Sequence, residues 1–430
     1  MKYLAWILSL SLIMLSCDKT DIISEDHSLV NTKHLDHLFE EIMLNGETAA
    51  TIHIYAEYPD YNWTDASGEG IGCIDDVARA ALFYFREAAK TNDPEHEKKA
   101  GLLLKFITSL QAENGYFYNF IDTNYQIEKE TKNSTPKGDW WAWRALWAMC
   151  EAENYYSRKD PQKAFDLQIM IAKVIENILI EIDPYPQTEE IDGFPFPTWL
   201  PVRNAADQAS VIILALAPYG KRHADERINK IIRYLSDGII LMQIKDELSP
   251  VYGAFLSWKN RWHAYGNSQA DALLYASELL DEVKYSEAAL LEIDHFYSFL
   301  FEENYLNSLV IQRSEEGTVI AEKKQFEQIS YGLRPMVFSC LHAYDLTGKK
   351  EYLLKATRIA GWLSGKNIIG NKIYDSENGR CFDGIDSENK INMNSGAEST
   401  IEALLILQIM EKYEEANRTL LDQFNKRDDN

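Results

Sequence analysis

Along the chain, apolar residues recur at helical spacing in blocks of two kinds. The first kind is Ala-rich, apolar on most sides, and opens on small or acidic residues. Its members are DDVARAALFYF at 75, DWWAWRALWAMC at 139, NAADQASVIILALA at 204, NSQADALLYASELL at 267, GLRPMVFSCLHAY at 332 and SGAESTIEALLIL at 395. With Asp75, Asp139, Asp207, Asp271, Gly332 and Glu398 as markers, the successive spacings are 64, 68, 64, 61 and 66 residues. The second kind falls between them and carries Lys and Glu on one face: HEKKAGLLLKFITSL, QKAFDLQIMIAKVIENIL, DERINKIIRYLSDGIILM, SEAALLEIDHFYSFLF and KEYLLKATRIAGWL. A helix apolar all round belongs inside and a one-sided helix belongs at the surface, so the two kinds read as an inner and an outer ring. An early stretch at 33–44, KHLDHLFEEIML, predicts a twelfth helix. A repeat of this regularity marks one supersecondary unit stacked on its copies. Six helical hairpins closing on one another predict an all-α (α/α)6 toroid, its inner helices beginning near 75, 139, 204, 267, 332 and 396. An open helical solenoid, whose ends never meet, is the rival architecture.

Glycine followed by alternating aromatics recurs at one topological place, just before an inner helix: GYFYNF at 115, GFPFPT at 193, GAFLSW at 253 and a shorter GRCFDG at 379. Period-two aromatics predict short strands or extended loops, crowded at one mouth of the ring. No Pro/Ser/Gly linker interrupts the repeats, so residues 33–417 read as one domain and 418–430 as a polar tail.

The chain opens on MKYLAWILSLSLIMLSC, in which a basic residue precedes an apolar run too short to span a bilayer. Residues 1–17 therefore read as a signal peptide. Its ending resembles a bacterial lipobox, which implies lipidation of Cys17, with 18–32 as a polar tether. The expected location is the bacterial cell envelope, periplasmic or cell-surface, with the membrane reached only through the lipid. A plain signal peptide with an incidental cysteine is the simpler alternative. Cys73, Cys150, Cys340 and Cys381 lack CxxC spacing, and read as small core residues rather than a disulfide framework. A net charge of −24 without an offsetting basic patch excludes nucleic acid as a partner. It leaves a neutral ligand open. No His, Asp or Glu cluster has metal-ligand spacing, so no cofactor is expected, a structural Ca²⁺ being the exception left open. A monomer is expected.

In a toroid of alternating hairpins, all inner helices point one way, so their N-termini converge with the loops that precede them. Residues far apart in sequence then ring one pocket: Asp75, Asp76, Asp139, Asp207, Asp271, Asp383 and Glu398. With them come Arg79, Arg144, Arg334, Trp140, Trp141, Trp262, His263, Asn267 and Asn394. At least three of Trp140, Trp141, Trp199, Trp258 and Trp262 are expected to line the cleft. Aromatic rings stack on sugar faces and carboxylates bind hydroxyls, and two carboxylates suffice for acid and base work on a glycosidic bond. Each acid also has a plainer reading. Asp139 and Asn204 suit helix caps. Ser395 to Glu398, SGAE, has the form of a capping box. Trp140, Trp141 and Trp143 do not all fit one helix face, so one of them belongs to the core. Adjacent Asp75 and Asp76 point roughly 100° apart on a helix, so both reach one pocket only if the first is still in the loop. Arg79 is spaced to pair with either and keep it ionised.

The paired acids on the first inner helix, the C-terminal Glu after an Asn-rich loop, and the repeat of twelve resemble the six-hairpin glycosidase superfamily. Within it, the layout is similar to inverting endoglucanases of the cellulase type, although their fuller aspartate motif is absent here. A closer likeness, in DDxARA, RALWA, CFDG and NMNSGAEST, is to an uncharacterised bacterial helical domain associated with glycosyltransferase-like proteins. It covers most of residues 70 to 410 and implies no settled activity. The resemblance implies an extracytoplasmic glycoside hydrolase acting on an oligo- or polysaccharide. Glu398 would be the general acid and Asp75 or Asp76 the base, with inversion at the anomeric carbon. The alternatives are a polysaccharide lyase using Tyr265, His263 and Arg261, and a non-catalytic glycan-binding lipoprotein.

Overall fold

The ring is built from consecutive helical hairpins. In the computed structural model, which describes residues 28–65, 69–182, 186–315 and 317–426, a short α1 (Lys33–Leu38) precedes them. The hairpins are α2 (Ile74–Thr91) with α3 (Pro94–Ser109), α4 (Trp140–Lys159) with α5 (Pro161–Glu181), and α6 (Ala206–Arg222) with α7 (Glu226–Leu241). In the fourth, α8 (Gln269–Leu280) pairs with α9 (Val283–Leu291), which passes through a π-helical turn into α10 (Tyr297–Glu302). The last two are α11 (Ser330–Thr347) with α12 (Lys350–Ala360), and α13 (Ala397–Met410) with α14 (Glu414–Asn425). Each even-numbered helix from α2 to α8 packs on the next, α8 packs on α11, α11 on α13, and α13 returns to α2. The ring is closed, which makes the fold an (α/α)6 toroid. The seam is polar as well as apolar: Gln408 on α13 donates from Nε2 to the Phe83 carbonyl (3.1 Å) and to Glu87 Oε1 (2.7 Å) on α2.

Inner and outer helices begin differently. Outer α3, α5 and α7 start on Asp93, Asp160 and Asp225, each of which accepts a backbone N–H of the first turn. Pro94 and Pro161 follow two of these caps, where a missing N–H costs nothing. Among the inner helices only α4 is capped by the side chain of its own N-cap residue, Asp139, which accepts the Trp140 N–H (2.9 Å). The N-cap residues of α2, α6, α8, α11 and α13 make no such bond. Of the acids on these helices, Asp207 accepts the Gln208 N–H of its own first turn (2.7 Å) and pairs with His263, while Asp75, Asp76, Asp271 and Glu398 are engaged by Arg144, Arg79 and His342.

Three expectations need correction. Residues 33–44 are not one helix: after Leu38 the chain forms strand Phe39–Leu44, paired with Glu47–Ile52. The reversal is Asn45-Gly46, both at positive φ (53° and 82°), a strong two-residue hairpin signal that overrides the helical spacing before it. The outer partner of the last inner helix is instead α14, inside the supposed polar tail. It buries Ala416, Leu420 and Phe424 at i, i+4 and i+8. The domain also begins earlier than residue 33. Leu29 is buried, and its carbonyl accepts from the Tyr374 hydroxyl (2.9 Å). Cys17, the signal peptide and the tether up to residue 27 lie outside the described residues.

The aromatic segments meet the inner-helix mouth in several forms. Phe120–Ile121 pairs with Gly72–Cys73, Phe194–Pro197 with Thr188–Ile191, and Arg380–Cys381 with Tyr374–Asp375. The segment at 253 forms isolated bridges instead.

Candidate active site

The inner N-termini and their entry loops enclose a cavity of about 640 Å³. Its wall includes Asp75, Asp76 and Arg79 from α2, Trp140, Trp141 and Arg144 from α4, Tyr331 from α11, and Glu398 from α13. Tyr55, at the start of the short strand Tyr55–Glu57, and Asn119, Asp139, Tyr265 and Asp383 from the entry segments also belong to it.

Arg79 organises the floor. It is almost wholly buried, yet its guanidinium makes four charge-assisted contacts. Nη2 donates to Asp76 Oδ1 (2.7 Å), Nη1 to Glu398 Oε2 (3.1 Å) and Glu402 Oε1 (3.0 Å), and Nε to the Asp75 carbonyl (3.0 Å). Sequence spacing allows Arg79 a partner one turn away on its own helix. The structure adds two partners more than 300 residues distant. One planar fork therefore ties Asp76 to Glu398, with oxygens no more than roughly 8 Å apart. The two acids do not face one another across open space, because the guanidinium lies between them.

The neighbouring aspartates occupy different environments. The Asp76 side chain is 5% exposed and accepts from the Cys73 thiol at Oδ2 (3.3 Å). Burial, with Glu398 and Asp75 nearby, pushes its proton affinity up to about 6 although Arg79 opposes the shift. Asp75 is 22% exposed at the cavity and pairs with Arg144 Nη1. The same guanidinium donates to the Tyr331 hydroxyl, and lies 5.2 Å from the ring centres of both Trp140 and Tyr331.

Glu398 does not close a capping box. Gly396 is the residue preceding α13, and its N–H donates to Asp383 Oδ1 (2.8 Å), which also accepts from the Ser399 hydroxyl (2.7 Å). The Ser395 hydroxyl donates to the Cys381 carbonyl. Asp383 thus takes the helix start, and Glu398, with 43% of its side chain exposed, is turned to the cavity and Arg79. Asp139 combines both roles, capping α4 and lining the cavity.

Of the remaining candidates, Trp140 and Trp141 line the cavity, Trp141 donating from Nε1 to the Phe117 carbonyl (2.7 Å). The expected third tryptophan is missing. Trp262 packs in the core against Phe296, Trp199 is buried with its Nε1 on the Tyr234 carbonyl, and Trp258 lies outside the cavity lining. Asp207 and His263 form a buried pair (3.0 Å) beneath Tyr265, whose ring stacks on the imidazole at 3.8 Å. Burial raises the proton affinity of Asp207. Asn267 donates to the Gly332 carbonyl, and Asn394 accepts the Tyr58 N–H, so both brace loops. Asp271 pairs with His342 and opens on a separate cavity of about 1310 Å³ at the C-terminal ends of the inner helices. It stands in the first turn of α8, yet its side chain is turned to His342 and to that cavity rather than to the N-terminal mouth. Arg334 is behind the floor, paired with Glu402.

Sequence reasoning missed Tyr55, Asn119, Tyr331 and Glu402. Only Glu402 carried a signal, since it stands four residues after Glu398 and so on the same helix face.

No protein family model matches the chain, and no curated protein matches it by sequence. Solved structures do. A sugar epimerase from a ruminal bacterium is 13% identical with a TM-score of 0.60, over 86% of this chain and 94% of that one. Cellobiose 2-epimerase from Bacillus thermoamylovorans B4167 is 14% identical with a TM-score of 0.59 over the same shares. A family 76 glycoside hydrolase from a bovine Bacteroides thetaiotaomicron strain is 9% identical with a TM-score of 0.55, over 90% of this chain and 78% of that one. The chain shares with them the (α/α)6 toroid fold.

Proposed function

We propose that this protein is a carbohydrate-active enzyme, a glycoside hydrolase that cleaves an oligo- or polysaccharide by carboxylate catalysis. The observation that carries the reading is the meeting of Asp76 and Glu398, from opposite ends of the chain, on one guanidinium at the floor of an aromatic-walled cavity. Glu398 is the more exposed and reaches the cavity, which suits the acid that protonates a leaving oxygen. Asp76, ionised above about pH 6, suits the base, because a base works best when its proton affinity lies near the working pH. Arg144, itself bonded to the Tyr331 hydroxyl, holds Asp75 beside it. Water attacking from the Asp76 side and proton delivery from Glu398 give inversion. Trp140, Tyr55 and Tyr265 offer ring faces for sugars at the mouth.

Sugar epimerisation is the second reading, favoured by the fold match to two epimerases across 94% of their length. No histidine lines the cavity among the described residues, so proton transfer at a carbon would fall to the carboxylates. One experiment separates the readings. Purified residues 18–430 are incubated with a glycan panel and the products read by mass spectrometry and anomeric NMR. Hydrolysis adds water and shortens the chain, whereas epimerisation leaves the mass unchanged. Binding without conversion would point to a glycan-binding lipoprotein, and unsaturated products to a lyase. The latter would be at odds with a His263 buried on Asp207. Our reading also includes a lipid anchor at Cys17, placing a monomeric enzyme at the bacterial envelope. Fatty-acid labelling of the full chain that persists in Cys17→Ala would refute the anchor.

A further inference from the structure

The seam that closes the ring carries an uneven set of charges. Arg79 from α2 and Arg334 from α11 are both buried, and between them lies Glu402 of α13, which has no exposed surface. Its Oε1 accepts from Arg79 Nη1 (3.0 Å) and its Oε2 from Arg334 Nε. Arg334 Nη1 has no hydrogen-bond partner among the described residues. Asp76 and Glu398 complete the group on the other side of Arg79. Three carboxylates therefore share two guanidiniums. Unbalanced charge is costly away from water, and a buried carboxylate relieves the imbalance by keeping a proton. Of the three, Glu398 is open to the cavity and Glu402 is held by both arginines, whereas Asp76 is buried with one arginine and a thiol.

We propose that Glu402 and Arg334 are positioning residues that set the charge balance of this seam and, acting through Arg79, decide the pH at which Asp76 gives up its proton. Neither lines the cavity or would touch substrate. The inference rests on the reading of Asp76 as the base, and it names the pair that tunes it. The other charged or titratable groups around Asp76 are Cys73, Asp75 and Arg79 at the start of α2, and Glu398 on α13. Tyr331 on α11, Arg144 on α4 and Tyr55 on its strand complete the surroundings. In the two substitutions below they all stay in place, so only the seam charge changes.

Glu402→Gln removes the surplus negative charge, so Arg79 acts more fully on Asp76, which ionises at lower pH. Arg334→Gln enlarges the surplus and should have the opposite effect. The ascending limb of kcat/KM against pH should move down by about one unit or more in the first variant and up by a similar amount in the second. A substrate-free readout accompanies it: the pH dependence of unfolding stability of each protein against its own Asp76→Asn derivative, which isolates the titration of Asp76. Arg334→Lys retains the charge and should leave both readouts in place, even if it lowers the rate. Opposite shifts from the two neutralising variants support the proposal. Loss of rate or stability with the Asp76 titration unmoved, or moved in the same direction in both, would overturn it and leave the pair purely structural. If no glycan is turned over, the hydrolase reading fails, yet the stability titration still decides whether the seam tunes Asp76.

Discussion

Replacing Glu398 by Gln separates the two roles open to a carboxylate at a helix start. Glutamine keeps the size of the side chain and its ability to accept a hydrogen bond, but it neither carries the charge nor donates a proton as an acid. The structural cost follows from the contacts. Gly396 N–H is already satisfied by Asp383, so no cap is lost. What is lost is one ion pair to Arg79 from a side chain 43% exposed, and such pairs are worth about 0–1 kcal/mol. Arg79 keeps Asp76 and Glu402. The melting temperature should therefore fall by no more than about 2–4 °C. The catalytic cost is of a different size. A general acid contributes about 10²–10⁴-fold, equivalent to about 2.7–5.4 kcal/mol of barrier. The assay is kcat on the best glycan from the screen, beside a thermal melt of the same sample. A collapse in rate with an almost unmoved melt is the expected outcome. A melt lowered by many degrees with the rate nearly intact would return Glu398 to a structural role and leave Asp76 without its partner.

Other outcomes follow from the same geometry. Asp383→Ala removes the acceptor at the start of α13 and should cost about 0.5–2 kcal/mol in a denaturant melt, the reverse of the pattern for Glu398→Gln. Trp140→Ala takes a ring from the mouth and should raise KM about tenfold while kcat changes little; an unchanged KM would place substrate elsewhere. Gly266→Ala would set a Cβ 2.2 Å from His263 Cε1 and 2.8 Å from Asp207 Cβ. It should lose about 1–3 kcal/mol of stability and disturb Tyr265 above the pair, which a melt and a KM measurement would register. Glu292, buried with Oε2 unpartnered, is pushed by burial from 4.5 up to about 8. The folded state then holds a proton that the unfolded chain has released, so this residue makes stability fall as pH rises from 4.5 through 8. Glu292→Gln should abolish that dependence and be the more stable protein at pH 8, by roughly 4 kcal/mol at most. Parallel stability–pH curves for the two proteins would contradict this.

What the sequence determined by itself is whatever repeats or is local. The alternation of all-round apolar helices with one-sided ones requires two concentric layers, and five near-equal intervals between six markers require six hairpins, because burial of an apolar surface depends on periodicity and not on detail. The same reasoning brings Asp75, Asp76, Asp139 and Glu398 to one mouth, since parallel inner helices share the side on which they begin. Local chemistry also explains the outer helix starts at Asp93-Pro94 and Asp160-Pro161. It went astray where a weak stripe of three apolar residues made α14, and where Asn45-Gly46 turned an expected helix into a hairpin. Direction and partnership were left to tertiary structure. Trp262 has the look of a cleft residue until its loop is packed against Phe296, and His263 that of a base until Asp207 lies against it. SGAE has the form of a capping box, but Asp383 from a preceding loop reaches the helix start first and frees Glu398 for the cavity. Arg79 has partners at helical spacing in the sequence, and only ring closure brings it Glu398 and Glu402. These outcomes depend on side chains from distant segments competing for the same hydrogen-bond donors, and the winner is decided by distances of a few ångströms that no spacing along the chain encodes.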